Sequence, residues 1–178
     1  MPLVRVTLSK GCLSTEQRSQ LAEEMTGVLL LVEGGTDNPA GRAIAYVLFN
    51  EVDPADWYIG GRLDETYVHP GGRFIFDVTV PQGSCNQERK NQVHAAVNDS
   101  LCKILGLAPD KRTAASAWVI IHEVREGHWG AAGRMVGIRN IAQFAQMAPD
   151  RADYFEPLLA AQKKLHEAHG FPEGTGSY

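Results

Sequence analysis

Apolar residues recur at two alternating periods along this chain. Leu3 to Leu8 has the alternation of a strand, and Phe74 to Val80 forms a second strand-like stretch. After each comes a glycine turn, at Gly11 and Gly83, and then a helix start. Ser14 with Gln17 three residues on makes a capping box, and Asn86 is a plain cap. The segments that follow have helical spacing: Leu21, Met25, Val28 and Leu29, then Val93, Val97, Leu101, Ile104 and Leu105. Gly34 and Gly106 are the expected helix ends. Second strands are expected over Ala43–Phe49 and Ala117–Ile121, nearly all apolar, as in strands covered on both faces.

The two halves are one unit used twice. At an offset of 72, Val6-Thr7 falls on Val78-Thr79, Gly11 on Gly83, Leu29 on Leu101 and Glu51-Val52 on Glu123-Val124. Trp57 falls on Trp129 and Gly61-Arg62 on Gly133-Arg134. A gapless repeat over some sixty positions defines the fold before any other feature does. Strand, helix and strand in each unit make a parallel, right-handed crossover. The predicted fold is α/β (α+β): two tandem β-α-β units forming a four-stranded sheet with two helices on one face, plus a C-terminal helix. The units occupy 1–62 and 73–134 and pack as one domain, and 135–178 is an extension. Within it, 135–149 reads as a connector and Asp150–His169 as a helix, with Leu158, Leu159 and Leu165 on one face and Gly170 ending it. The tail from Phe171 reads as loose. The second face of the sheet also carries apolar residues, which most simply pack on another subunit.

Composition narrows the function classes. At 178 residues and a net charge of −4 the chain reads as an ordinary globule with no basic patch for nucleic acid. The longest aliphatic run, Val28 to Val32, is too short for a membrane span, and no signal-peptide layout precedes the first strand. Three cysteines, Cys12, Cys85 and Cys102, without CxxC spacing suit a reducing cytoplasm.

The candidate chemistry sits at the start. Met1-Pro2 runs straight into the first strand. Removal of Met1 leaves Pro2 as a secondary amine. An α-amino group titrates at about 7.7–8.0, burial among apolar groups lowers it, and a base near neutrality is well matched to proton abstraction.

The terminal proline, the doubled β-α-β unit and the closing run Gly127-His128-Trp129-Gly130-Ala131-Ala132-Gly133 resemble the tautomerase superfamily. The unit resembles 4-oxalocrotonate tautomerase. Phe49-Asn50-Glu51-Val52 with Trp57 resembles the cis-3-chloroacrylic acid dehalogenase branch of the fused members. The likeness covers residues 2 to about 134. It implies a homotrimer acting on a small-molecule enol or α-keto acid, with Pro2 as general base and no cofactor or metal. Phe74 stands at the position matching Pro2, so it implies one amine site per chain.

The departures are equally specific. Where the family places a carboxylate-binding arginine after the turn glycine, this chain has Cys12 and Ser84, and its second-strand arginine falls on Tyr46 and Trp118. The dehalogenase arginines align with Pro81 and Ser84 and its helix histidine with Leu29. Ala131-Ala132 replaces its water-activating acid. Tyr46, Asn50, Trp57, Trp118 and Trp129 are therefore the expected substrate contacts, with Arg5, Arg42, Arg62, Arg73 and Arg134 available for an anion. Structural roles compete: the tryptophans also suit hairpin plugs, Tyr46 and Trp118 also suit packing, and the recurring Glu51 and Glu123 suit a structural task. Three activities stay open on this reading: tautomerase, lyase or hydratase, and a catalytically silent binding protein.

Overall fold

The computed structural model describes residues 3–108, 115 and 117–174. The first unit comprises β1 (Leu3–Ser9), α1 (Thr15–Gly34), the short α2 (Pro39–Arg42) and β2 (Tyr46–Val52). The second comprises β3 (Phe74–Pro81), α3 (Gln87–Leu105) and β4 (Ala117–Val124). The sheet order is β2-β1-β3-β4, parallel within each unit and antiparallel where β1 meets β3. A two-fold relation therefore runs between β1 and β3.

Alternation makes the core. Val4, Val6 and Leu8 of β1, with Phe74, Phe76, Val78 and Val80 of β3, point to the helices and are buried. Leu21, Met25 and Leu29 of α1 and Val93, Val97 and Leu101 of α3 meet them. Each such side chain is worth about 1.5–3 kcal/mol of transfer free energy. The expected caps are present. Ser14 Oγ accepts from Gln17 N at 3.2 Å while Ser14 N donates to Gln17 Oε1 at 2.9 Å. Asn86 Oδ1 accepts from Arg89 N at 2.9 Å.

The repeat extends to individual contacts. Gly11 N donates to Glu51 Oε1 at 2.9 Å, and Gly83 N to Glu123 Oε1 at 3.4 Å. Arg18 pairs with Glu51 at 2.5 Å, and Lys90, at the matching position, pairs with Glu123 at 2.8 Å. Each glutamate thus ties the end of a second strand to the turn and helix before it, a structural task. The two hairpin turns also match. Gly60-Gly61 and Ala132-Gly133 all have positive φ, which suits a tight turn between antiparallel segments.

The structure corrects or refines five sequence expectations. First, Gly35 (φ 71°), not Gly34, is the left-handed cap of α1. Gly34 is the last helical residue and is buried, with Met147 Cγ 3.3 Å from where a Cβ would stand. Second, β2 starts at Tyr46 rather than Ala43, and both second strands run further than expected, to Val52 and Val124. Third, within the chain these strands are covered on one face only, which leaves the other face open to the subunit packing that the sequence suggests. Tyr46 (55 % exposed), Leu48, Trp118 (68 %) and Ile120 lie on the open face. Fourth, the connector 135–149 holds a helix, α4 (Ile138–Phe144), preceded by a small hairpin of β5 (Gly130–Ala131) and β6 (Arg134–Met135). The buried Glu126 carboxylate accepts from Ile138 N at 3.2 Å and fixes the start of α4. Fifth, α5 (Pro149–Ala168) buries Phe155 and Leu159, whereas Leu165 is exposed.

The extension is bolted to the end of the layer. Ala148 N donates to Gly34 O at 2.9 Å, and Asn38 Nδ2 to Ala145 O at 2.9 Å. Arg151, only 3 % exposed, donates to Glu33 O at 2.9 Å and to Ser84 O at 2.6 Å, with Tyr154 and Phe155 against its guanidinium.

Candidate active site

β1 is an interior strand, so its first described residue is held from both sides. Leu3 pairs with Tyr46 on β2 and with Thr79 on β3, and Thr79 pairs with His122 on β4. Tyr46, Leu3, Thr79 and His122 therefore form one row across the open face at the end where the chain begins. Pro2 itself lies outside the described residues. The loop after β3 and the C-terminal end of α1 gather at this same end. Both receive α5: Arg151 Nε donates to Glu33 O of α1 at 2.9 Å, and Tyr154 Oη to Gly83 O at 3.0 Å. Trp129 follows β4 and so belongs to this end. It sits in a hairpin concavity of about 460 Å³, and its indole Nε1 is buried with no hydrogen-bond partner among the described residues.

The other expected contacts lie at the opposite end. Asn50 pairs with Thr7, Thr7 with Ile75, and Ile75 with Trp118. Here a cavity of about 490 Å³ opens, lined by Trp57, Tyr58, Tyr67, His69, Ile75 and Trp118 among others. The structure thus joins Trp57 to Trp118 and keeps them from Tyr46. By strand geometry Tyr46 and Trp118 are about 14 Å apart across the sheet and about 13 Å along it. Tyr58, Tyr67 and His69 were missed in the sequence. Tyr67 and His69 lie between the two repeated units, where no match at offset 72 could flag them.

The cationic candidates sort clearly. Arg42 is committed to Asp37 and Glu23, and Arg62 to Asp64. Arg73 is buried and donates to Leu63 O at 3.0 Å, with Glu65 3.1 Å away. Arg5 and Arg134 are exposed. His122 Nε2 lies 2.6 Å from Asp77 Oδ1, a local pair on the open face. Burial pushes the Cys12 thiol above its ordinary pKa, and it pushes Cys85 up too, with the nearby Glu33 charge adding to the effect. Neither is a poised thiolate.

Two β-α-β units in this order make a fold shared with solved fused 4-OT structures. Residues 75–139, which cover most of the second unit, match the family described as Tautomerase enzyme. No curated protein matches the chain. Among solved structures, a member of the cis-3-chloroacrylic acid dehalogenase family has a TM-score of 0.62 at 16 % identity, over 87 % of this chain and 99 % of that one. A fused 4-OT wild-type asymmetric trimer has a TM-score of 0.59 at 16 % identity, over 75 % and 94 %. A malonate semialdehyde decarboxylase inhibited by 3-bromopropiolate has 0.53 at 21 %, over 72 % and 87 %. At these identities the likeness is one of fold. Among the described residues no helix is long and apolar enough to cross a membrane.

Proposed function

We propose that this protein is a cofactor-independent tautomerase in which the Pro2 amine, freed by removal of Met1, is the general base. The observation that carries the reading is the register of β1. Leu3, next in sequence to Pro2, is fixed between Tyr46 and Thr79 in the middle of the sheet. An interior strand holds the residue that follows Pro2 from both sides, whereas an edge strand would hold it from one. The amine takes a proton from an enol, or from carbon next to a carbonyl, and returns it at another carbon of an α-keto-acid type substrate. Tyr46 is the donor best placed in the same chain to steady the enolate oxygen, and Trp129 lies at the same end. Asn50, Trp57 and Trp118 contribute only if another copy presents its own opposite end. The exposed apolar sheet face supports that assembly, which we take to be a homotrimer in the cytoplasm, where Cys12, Cys85 and Cys102 carry no disulfide.

One observation favours a second reading, a silent binding protein on the same fold. Arg42, Arg62 and Arg73 are all tied to acids or backbone carbonyls, so three of the expected anion holders are spent on structure. A lyase or hydratase on the same amine is the third reading. The test is ketonisation of phenylenolpyruvate by the wild type and by Pro2→Ala, after intact-mass analysis confirms loss of Met1. Activity abolished in the variant supports the tautomerase. A processed, folded wild type without activity points to the binding protein.

A further inference from the structure

We propose that the cleft between α5 and the ends of β3 and β4 is a carboxylate-binding site for an organic acid. The cleft measures about 300 Å³ and is lined by Gln82, Arg125, Gln162, His166, His169 and Phe171, with Leu165 at its wall. Gln82 and Arg125 are the first residues beyond β3 and β4, and Gln82 N donates to Val124 O at 2.8 Å. Gln162 reaches across from α5 to Gln82 O at 2.9 Å, so the two walls are joined. The His166 ring lies 4.7 Å from that of Phe171.

The chemistry of this lining is one-sided. Its described residues include one permanent cation, two histidines and two amides, and no acid. A guanidinium offers paired donors that match a carboxylate. Phe171 and Leu165 add an apolar surface, which selects an organic acid over a bare inorganic anion. The site also lies where such a group is needed. Gln82 is three residues beyond Thr79, the partner of Leu3, a distance of about 10 Å along an extended chain. The usual arginine positions after the turn glycines hold Cys12 and Ser84. Arg125, with the histidines of α5, would take over the substrate carboxylate. That last step rests on the tautomerase reading above; the site itself does not.

The probe is benzoate, with benzamide as its uncharged counterpart, titrated calorimetrically into the full chain. His166 and His169 ring signals are followed by NMR. Benzoate is expected to bind and to shift both rings, with benzamide at least tenfold weaker. Arg125→Ala should lower benzoate affinity about tenfold or more, and Arg125→Lys should restore part of it. Arg125 is exposed, and its substitution leaves the core intact. A wild type that ignores benzoate, or that binds it no better than benzamide or than Arg125→Ala does, overturns the site. Turnover plays no part in this measurement. Failure here leaves a Pro2-dependent activity standing, and an inert enzyme that binds benzoate through Arg125 sinks only the catalytic reading.

Discussion

Arg151 of α5 donates to the carbonyl oxygen of Ser84 at 2.6 Å, and this bond joins the C-terminal extension to the loop after β3. The same guanidinium also serves Glu33 O at the end of α1. Replacing it orphans two buried carbonyls and removes the cation from between Tyr154 and Phe155. Arg151→Ala should destabilise the fold by about 2–4 kcal/mol, read as a lowered midpoint in urea. A midpoint within error of the wild type would mean that α5 does not depend on this anchor.

Gly83 and Gly11 occupy matching turns with nearly equal φ, 76° and 78°, yet they differ in surroundings. A Cβ on Gly83 would come 2.6 Å from Leu158 Cδ1, whereas nothing lies within 4 Å at Gly11. Gly11→Ala should cost about 1 kcal/mol, for the left-handed backbone alone. Gly83→Ala should cost clearly more, because α5 must also shift. Equal losses in thermal unfolding would contradict the packing of α5 on this turn.

Glu51 is held below the usual carboxylate range by the Gly11 amide and then by Arg18. A carboxylate lowered in the folded state stabilises the fold above its unfolded pKa, about 4.3. That contribution is lost as the pH falls through the folded value. Wild type should therefore exceed Glu51→Gln in urea midpoint at pH 7, and the gap should close toward pH 3. A gap that is constant across this range would rule out the charge as its source.

Trp118 is 68 % exposed beside Ile120 on the open sheet face. If this face is covered by further copies, the wild type should run at three times 19.4 kDa in light scattering. Trp118→Asp should then shift it toward the single chain, since a buried unpaired carboxylate is costly. A wild type that is already monomeric at micromolar concentration would remove the trimer.

The repeat was legible because it is written in residue identity: Gly11 with Gly83, Glu51 with Glu123, Trp57 with Trp129. Strand and helix periods then followed from Val4, Val6 and Leu8 and from Leu21, Met25 and Leu29. The glutamates suit a structural task because they recur in both units, and each ties the end of a second strand to the turn before it. What was hidden is relative placement. Tyr46 and Trp118 are equivalent in the repeat, and that equivalence puts them at opposite ends, since β1 and β3 run antiparallel. Gly34 resembled a cap, yet Met147 packs on it from a segment with no periodic pattern of its own. Arg151 and Arg125 carried no signal: each is an isolated arginine whose role depends on the long-range docking of α5.

The pairing of β1 with β3 gives the sheet two ends that are copies of one another, and the C-terminal helices settle on only one of them. A molecule with matched halves has no intrinsic direction. Here the extension supplies one, so each chain has one end that α4 and α5 cap and one that they do not. Any assembly of these chains must then choose which side meets which, and the extension sets the terms of that choice.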